Sequence, residues 1–179
     1  MTDYQHLIDR YYADNKPLKD ILLQHSRAVM MKAVNIAKAH PELQIDTDFV
    51  QEAAMLHDIG VVFCNAPSIH CYGTEPYVCH GRIGAELLRE LDLPLHARVC
   101  ERHTGAGLTK TDIEQQNLPL PKQDFLPETI EEKLICYADK FFSKTHLDTE
   151  KNLEHALRSL SKFGQQGVQR FLQWHEMFK

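Results

Sequence analysis

An all-α helical bundle is the fold class this sequence predicts, on three observations. Apolar residues recur at a period near 3.6 along most of the chain. Strand-like alternation is nowhere sustained, and no internal repeat or low-complexity tract interrupts the pattern. The length of 179 residues, with 43% hydrophobic and 25% charged, suits one folded domain and excludes a disordered tail.

Tyr4 to Asn15 reads as a short helix with Leu7, Ile8, Tyr11 and Tyr12 inside. Leu18 to His40 is a long one, with Ile21, Leu22, His25, Val29, Ala33, Ile36 and Ala37 on one stripe. Asp46 or Thr47 caps the next, which runs to about His57 and stops at Gly60. Residues 61–79, broken by Pro67, Gly73 and Pro76, are irregular and are the candidate for a lid that shapes a substrate pocket. Helical pattern returns at His80 and again from Leu95 to His103. A second irregular stretch, Gly105 to Pro127, holds one helical turn after the capping-box pattern of Thr111 and Glu114. Pro127 or Thr129 then opens a helix that carries through Phe142. Two more close the chain, Leu153 to Phe163 and Val168 to Phe178.

Lys and Arg number 20 against 25 Asp and Glu, for a net charge of −5, which argues against an extended nucleic acid as partner. A small phosphorylated substrate stays compatible with that charge, because a metal supplies the positive field locally. The start has neither a basic n-region nor an apolar h-region, and no apolar run approaches a bilayer span. The five Cys (64, 71, 79, 100, 136) form no CxxC pair and read as reduced thiols. The expectation is a cytoplasmic protein without a membrane partner.

Chemistry concentrates on helix faces. His25, the pair His57-Asp58, His80, His103 and Asp139 each sit among apolar residues at helical spacing. A buried imidazole or carboxylate needs a partner. Singly, each of these histidines reads as a hydrogen-bonded core residue. Together, two Asp and four His converging on one bundle interior satisfy one another through metal. Six ligands exceed a four-coordinate zinc site and fit two divalent ions sharing a bridging carboxylate.

The ordered set His25, His57-Asp58, His80, His103, Asp139 resembles the H…HD…H…H…D signature of the HD-domain metal-dependent phosphohydrolases, and LHDIG (56–60) matches their HDIG subgroup. The stretches HTGAGLT and LPETIEEKLICYADK are similar to uncharacterised HDIG proteins. The resemblance covers about residues 20–145 and implies an HD-domain fold within a single domain spanning 1–179. Helices at about 149–178 would pack on that core. It implies attack of a metal-activated water on a phosphoester or phosphoanhydride of a nucleotide or other small phosphorylated metabolite. His25, His57, Asp58 and Asp139 would bind the first ion, Asp58 would bridge, and His80 with His103 would complete the second. HD hydrolases that split dinucleoside tetraphosphates use the same six ligands. Val61 stands where many HDIG enzymes have Lys, and no GYP element follows His103, which argues against cyclic dinucleotides.

On this reading Asp58 is the catalytic residue, orienting the water. Arg82, Arg102, Lys140 and Lys144, each within about a turn of a ligand, are candidate phosphate holders. A His/Asp set with no thiolate suits iron first, with Mn, Co, Ni, Zn or Mg as alternatives. Cys79, Cys100 and Cys136 read as packing residues, and His70, His96, His146, His155 and His175 as surface or packing. Gly105-Ala106-Gly107 is either an anion nest or a helix exit. Two other functions fit the same ligands: a diiron oxygenase, and a non-enzymatic nucleotide-binding sensor.

Overall fold

A computed structural model describes residues 2–179, and among them the apolar periodicity becomes nine α-helices. They are α1 (Tyr4–Tyr11), α2 (Lys16–Ala39), α3 (Thr47–Leu56), α4 (His80–Glu90), α5 (Pro94–Arg102), α6 (Lys110–Gln115), α7 (Ile130–Asp139), α8 (Leu153–Leu160) and α9 (Gln165–Phe178). The fold is all-α. A two-residue antiparallel ladder, β1 (Asn65–Ala66) with β2 (Cys71–Tyr72), is the small exception. None of these helices is long and apolar enough to cross a membrane.

Side-chain caps set most of the helix starts. Asp3, Asn15, Asp46 and Asn152 each accept a backbone N–H of the first turn, so Asp46 rather than Thr47 opens α3. Thr129, not Pro127, opens α7 in a reciprocal box with Glu132. The second box lies two residues earlier than expected: Thr109 with Asp112 replaces Thr111 with Glu114. Helix ends also differ from expectation, with α1 stopping at Tyr11 instead of Asn15 and α8 at Leu160 instead of Phe163. α3 stops at Leu56, and Gly60 lies inside the following 3-10 turn instead of capping a helix. α7 ends at Asp139, so Phe141 and Phe142 belong to the connection.

Two apolar clusters divide the interior. One joins α2, α3, α7 and α9 through Val29, Ala33, Ala53, Tyr137 and Phe171. The other joins α1, α2, α3 and the 59–71 segment through Ile8, Leu22, Leu56, Ile59 and Cys71. On α2, Leu22 belongs to the second cluster and Val29 to the first, and His25 lies between them. The seam between the clusters is where the polar ligands gather. The 105–127 stretch carries its own small core of Leu108, Ile113 and Phe125, with Phe163 packed against it.

Candidate metal centre

Six buried side chains converge on that seam. His25 comes from the middle of α2, while the other five sit at helix ends. His57 and Asp58 follow the last residue of α3, His80 opens α4, His103 follows α5 and Asp139 closes α7. The chain leaves the helix at Asp58 (φ −109°, ψ 12°), which frees carbonyls that the buried Tyr12 collects. Its hydroxyl donates to Ile59 C=O at 3.1 Å, lies 3.3 Å from Asp58 C=O, and accepts from Val62 N–H at 3.2 Å.

The imidazoles are oriented by their own backbone. His57, His80 and His103 each direct Nδ1 at the carbonyl three residues earlier, at 2.6, 2.6 and 2.7 Å. A carbonyl only accepts, so each Nδ1 carries the proton and, in the neutral ring, each Nε2 presents a lone pair. Those lone pairs face other acceptors. His80 and His103 Nε2 lie 3.0 Å apart and 3.3 and 3.4 Å from Asp58 Oδ1. His25 and His57 Nε2 lie 3.2 and 3.0 Å from Asp58 Oδ2, and 3.0 and 3.5 Å from Asp139 Oδ1.

Nitrogens and carboxylate oxygens crowded this way repel unless a proton or a metal cation sits among them. Asp58 Oδ1, Nε2 of His57 and both ring nitrogens of His25 are buried with no hydrogen-bond partner among the described residues, and Asp58 Oδ2 meets only the Lys144 ammonium besides the imidazoles. Ligands about 2.0–2.1 Å from one ion at tetrahedral or octahedral angles stand roughly 3.0–3.4 Å apart, which is the spacing seen. The Nδ1–carbonyl bonds are the outer supports that metal-binding imidazoles use. A divalent ion fits the donor set.

The donors form two groups: His25, His57, Asp58 and Asp139, and Asp58, His80 and His103. Asp58 belongs to both. Its Oδ2 faces the first group and its Oδ1 the second.

Charge tunes the cluster. Burial alone would raise the Asp58 carboxyl, but His57 and Lys144 beside it hold it well below the usual carboxylate range. Asp139 is likewise held down against burial, by Lys140, His25 and His57. Burial pushes His57 down, yet Asp58 and Asp139 outweigh it and carry His57 up to about 9. Burial wins at His80, lowered to about 3, and at His103, also lowered.

Of the four candidate phosphate holders, the structure brings two to the cluster. Lys144 Nζ sits 2.6 Å from Asp58 Oδ2, and Lys140 Nζ 2.6 Å from Asp139 Oδ2. The other two are engaged elsewhere: Arg82 pairs with Glu86, and Arg102 donates to Leu126 C=O and pairs with Glu128. A cavity of about 420 Å³ opens on the cluster at His25 and Asp139, walled by Lys140, Lys144, Tyr77 and Phe163. Ala66, Ser68 and Ile69 of the 61–79 segment form part of its wall. Gly105 lines it too, at φ +61°. The Gly105–Gly107 loop is not an open nest, since Gly107 N–H is taken by Thr104 C=O at 3.0 Å.

All five cysteines are free and buried. Cys100 donates to His57 C=O at 2.9 Å and Cys136 to His103 C=O at 3.4 Å. Burial pushes both thiols up, Cys136 to about 12, so they pack and donate as S–H groups. Sequence reasoning missed Tyr12, Tyr77 and Lys151. Tyr12 sat in an apolar stripe that core packing explained, Tyr77 in the irregular 61–79 segment, and Lys151 in a connection with no motif.

A family model described as HD domain matches residues 22–143. Among curated relatives, an uncharacterized protein of Methanocaldococcus jannaschii is 37% identical over 127 residues, covering 69% of this chain and 68% of that one. A tRNA (cytidine(56)-2'-O)-methyltransferase of Picrophilus torridus is 35% identical over 135 residues, 75% of this chain but 35% of its own length. The enzyme of the same name from Thermoplasma volcanium is 32% identical over 125 residues, 69% of this chain and 32% of that one. The chain thus spans about a third of the methyltransferases that it matches. No solved structure matches. With the model match covering the segment that carries all six converging residues, the chain belongs to the HD domain family.

Proposed function

We propose that this protein is a metal-dependent phosphohydrolase that cleaves a phosphoester or phosphoanhydride of a nucleotide or other small phosphorylated metabolite. The observation that carries this reading is Asp58: one buried carboxylate whose two oxygens face two separate groups of imidazole nitrogens. Two divalent ions sharing Asp58 would occupy those groups, with iron or manganese suited to a His/Asp set that lacks thiolate. Bound there, such ions lower the pKa of a water and neutralise phosphate oxygens.

The rest falls to the chain. Asp58, which would be shared by both ions, orients the attacking water. Lys140 and Lys144, at the cavity wall, hold non-bridging phosphate oxygens once these compete with Asp139 and Asp58 for the ammonium groups. The water oxygen bonds to phosphorus, the scissile P–O bond breaks, and the leaving oxygen takes up the proton that the water lost. The buried cluster keeps bulk water from screening these charges. A net charge of −5 favours a small substrate over an extended nucleic acid, and five free thiols support a cytoplasmic setting. The names of the methyltransferase relatives make tRNA a worthwhile member of the same substrate panel.

The test is phosphate release from nucleotides, dinucleoside polyphosphates, sugar phosphates and tRNA, run without oxygen with Fe(II), Mn(II) or Co(II). We expect metal-dependent release that Asp58→Ala abolishes, together with its metal binding. Turnover retained in Asp58→Ala would overturn the mechanism. Silence across the panel from protein holding two irons, with oxygen uptake in air, would replace it by oxygenase chemistry.

A further inference from the structure

The cavity that opens on the metal centre has a second lobe. Ser143, Lys151 and Ser159 wall the 420 Å³ proximal lobe and also a distal one of about 410 Å³. His146, His155 and Arg158 line the distal lobe, and no carboxylate does among the described residues. A cleft therefore runs from the ligand cluster, past Lys140 and Lys144, to a second group of cationic and hydroxyl side chains.

Lys151 is the hinge between the lobes. Its half-buried ammonium has no carboxylate partner among the described residues and reaches only Phe142 C=O, at 3.5 Å. Burial lowers its pKa, and the nearby Lys140, Lys144 and Lys162 lower it further against the pull of Asp139. An anion in the cleft would relieve that repulsion. Arg158 holds only the exposed Glu154 one turn back, a weak pair that a phosphate displaces. Between the two charged ends, Tyr77, Phe142 and Phe163 give the proximal lobe flat apolar walls.

Taking the phosphohydrolase reading as its basis, we infer that the distal lobe is a second anion subsite, holding a phosphate that is not cleaved. The substrate is then a small molecule with two phosphates at separate positions, of the nucleoside bisphosphate class. Apart from Ser143, every residue lining the distal lobe lies beyond the family match at 22–143. The subsite is thus a specificity element supplied outside the matched segment.

Two measurements on the full chain decide the matter. Calorimetry with inorganic pyrophosphate, in chelator and without added metal, reads the subsite independently of turnover. We expect binding that the Lys151→Met/Arg158→Met double variant weakens at least tenfold, with Mn(II) titration checking that the ligand cluster stays intact. In the Mn(II)-loaded protein, the ratio of kcat/KM for adenosine 3′,5′-bisphosphate over AMP should fall at least tenfold in the same variant. Equal pyrophosphate affinity in both proteins, or an unchanged ratio, would overturn the inference. Absence of all hydrolysis would count against the phosphohydrolase reading alone, because the pyrophosphate titration still decides the subsite. A short RNA that binds more tightly than the bisphosphate, and loses affinity in the same variant, would make the lobe a nucleic-acid contact and end the proposal.

Discussion

At His57 a proton and a metal ion compete for one nitrogen. Nδ1 is tied to Ala54 C=O, so Nε2 alone is left for either. Asp58 and Asp139, against burial, raise its pKa from 6.5 to about 9, so the extra proton is held below that pH and given up above it. His80 and His103 are shifted the other way and are neutral at pH 7, while Asp58 and Asp139 are ionised. At pH 7.5, loading with Mn(II) should therefore release about one proton from His57. Affinity should fall about tenfold per pH unit as pH drops below about 9, and the release should vanish above it. Calorimetry in buffers of different ionisation enthalpy reads the proton count. Ion binding at pH 7.5 with no proton release would show that His57 is not a ligand.

At the scale of elements, glycines let the ligand-bearing segments close on one another. A Cβ on Gly60 would lie 2.2 Å from the His80 carbonyl oxygen and 2.5 Å from Gly84 N, both backbone atoms of α4. One on Gly81 would lie 2.5 Å from Cys100 O on α5. The Gly of the HDIG stretch is therefore a spacer that brings His80 within reach of Asp58. Gly60→Ala must push α4 outward, at a cost of at least about 1–3 kcal/mol. We expect a lower Tm and a drop in bound Mn(II) from two ions to one, because His80 retreats while His25, His57 and Asp139 stay. Full stability with full loading would remove the spacer role. The same contact explains what could be read from the chain. The stripes that carry Ile21 to Ala37, or Leu153 to Leu160, follow from periodicity alone and were legible. The end of α3 was not, because Gly60 looks like a cap in sequence and owes its place to a helix 20 residues onward. The ligands were legible as an ordered polar set on apolar faces. Lys151 was not, since only the fold sets its ammonium between two lobes.

At the scale of the whole molecule, the segment beyond the family match is part of the frame that holds the site. Tyr137, two residues before Asp139, stacks on Phe171 of α9 at 5.0 Å and meets Phe178 at 5.4 Å. Its hydroxyl lies 2.8 Å from His175 Nδ1. Arg170 donates to Ala106 and Gly107 carbonyls at 3.0 and 2.9 Å, fixing the loop that leaves His103. α9 thus backs one ligand helix and the exit from another. Phe171 is fully buried, so Phe171→Ala should cost about 3–5 kcal/mol. Trp174, the one tryptophan of the chain, lies buried a turn away and reports on α9 directly. If α9 belongs to the same cooperative unit as the site, denaturant unfolding of the variant should give one transition, shifted to lower denaturant, with Trp174 fluorescence and helical circular dichroism coincident. Mn(II) binding should be lost in that transition as well. A Trp174 transition that precedes the rest, with Mn(II) still bound, would instead make α9 an appendage and leave Asp139 supported by α2, α3 and α5.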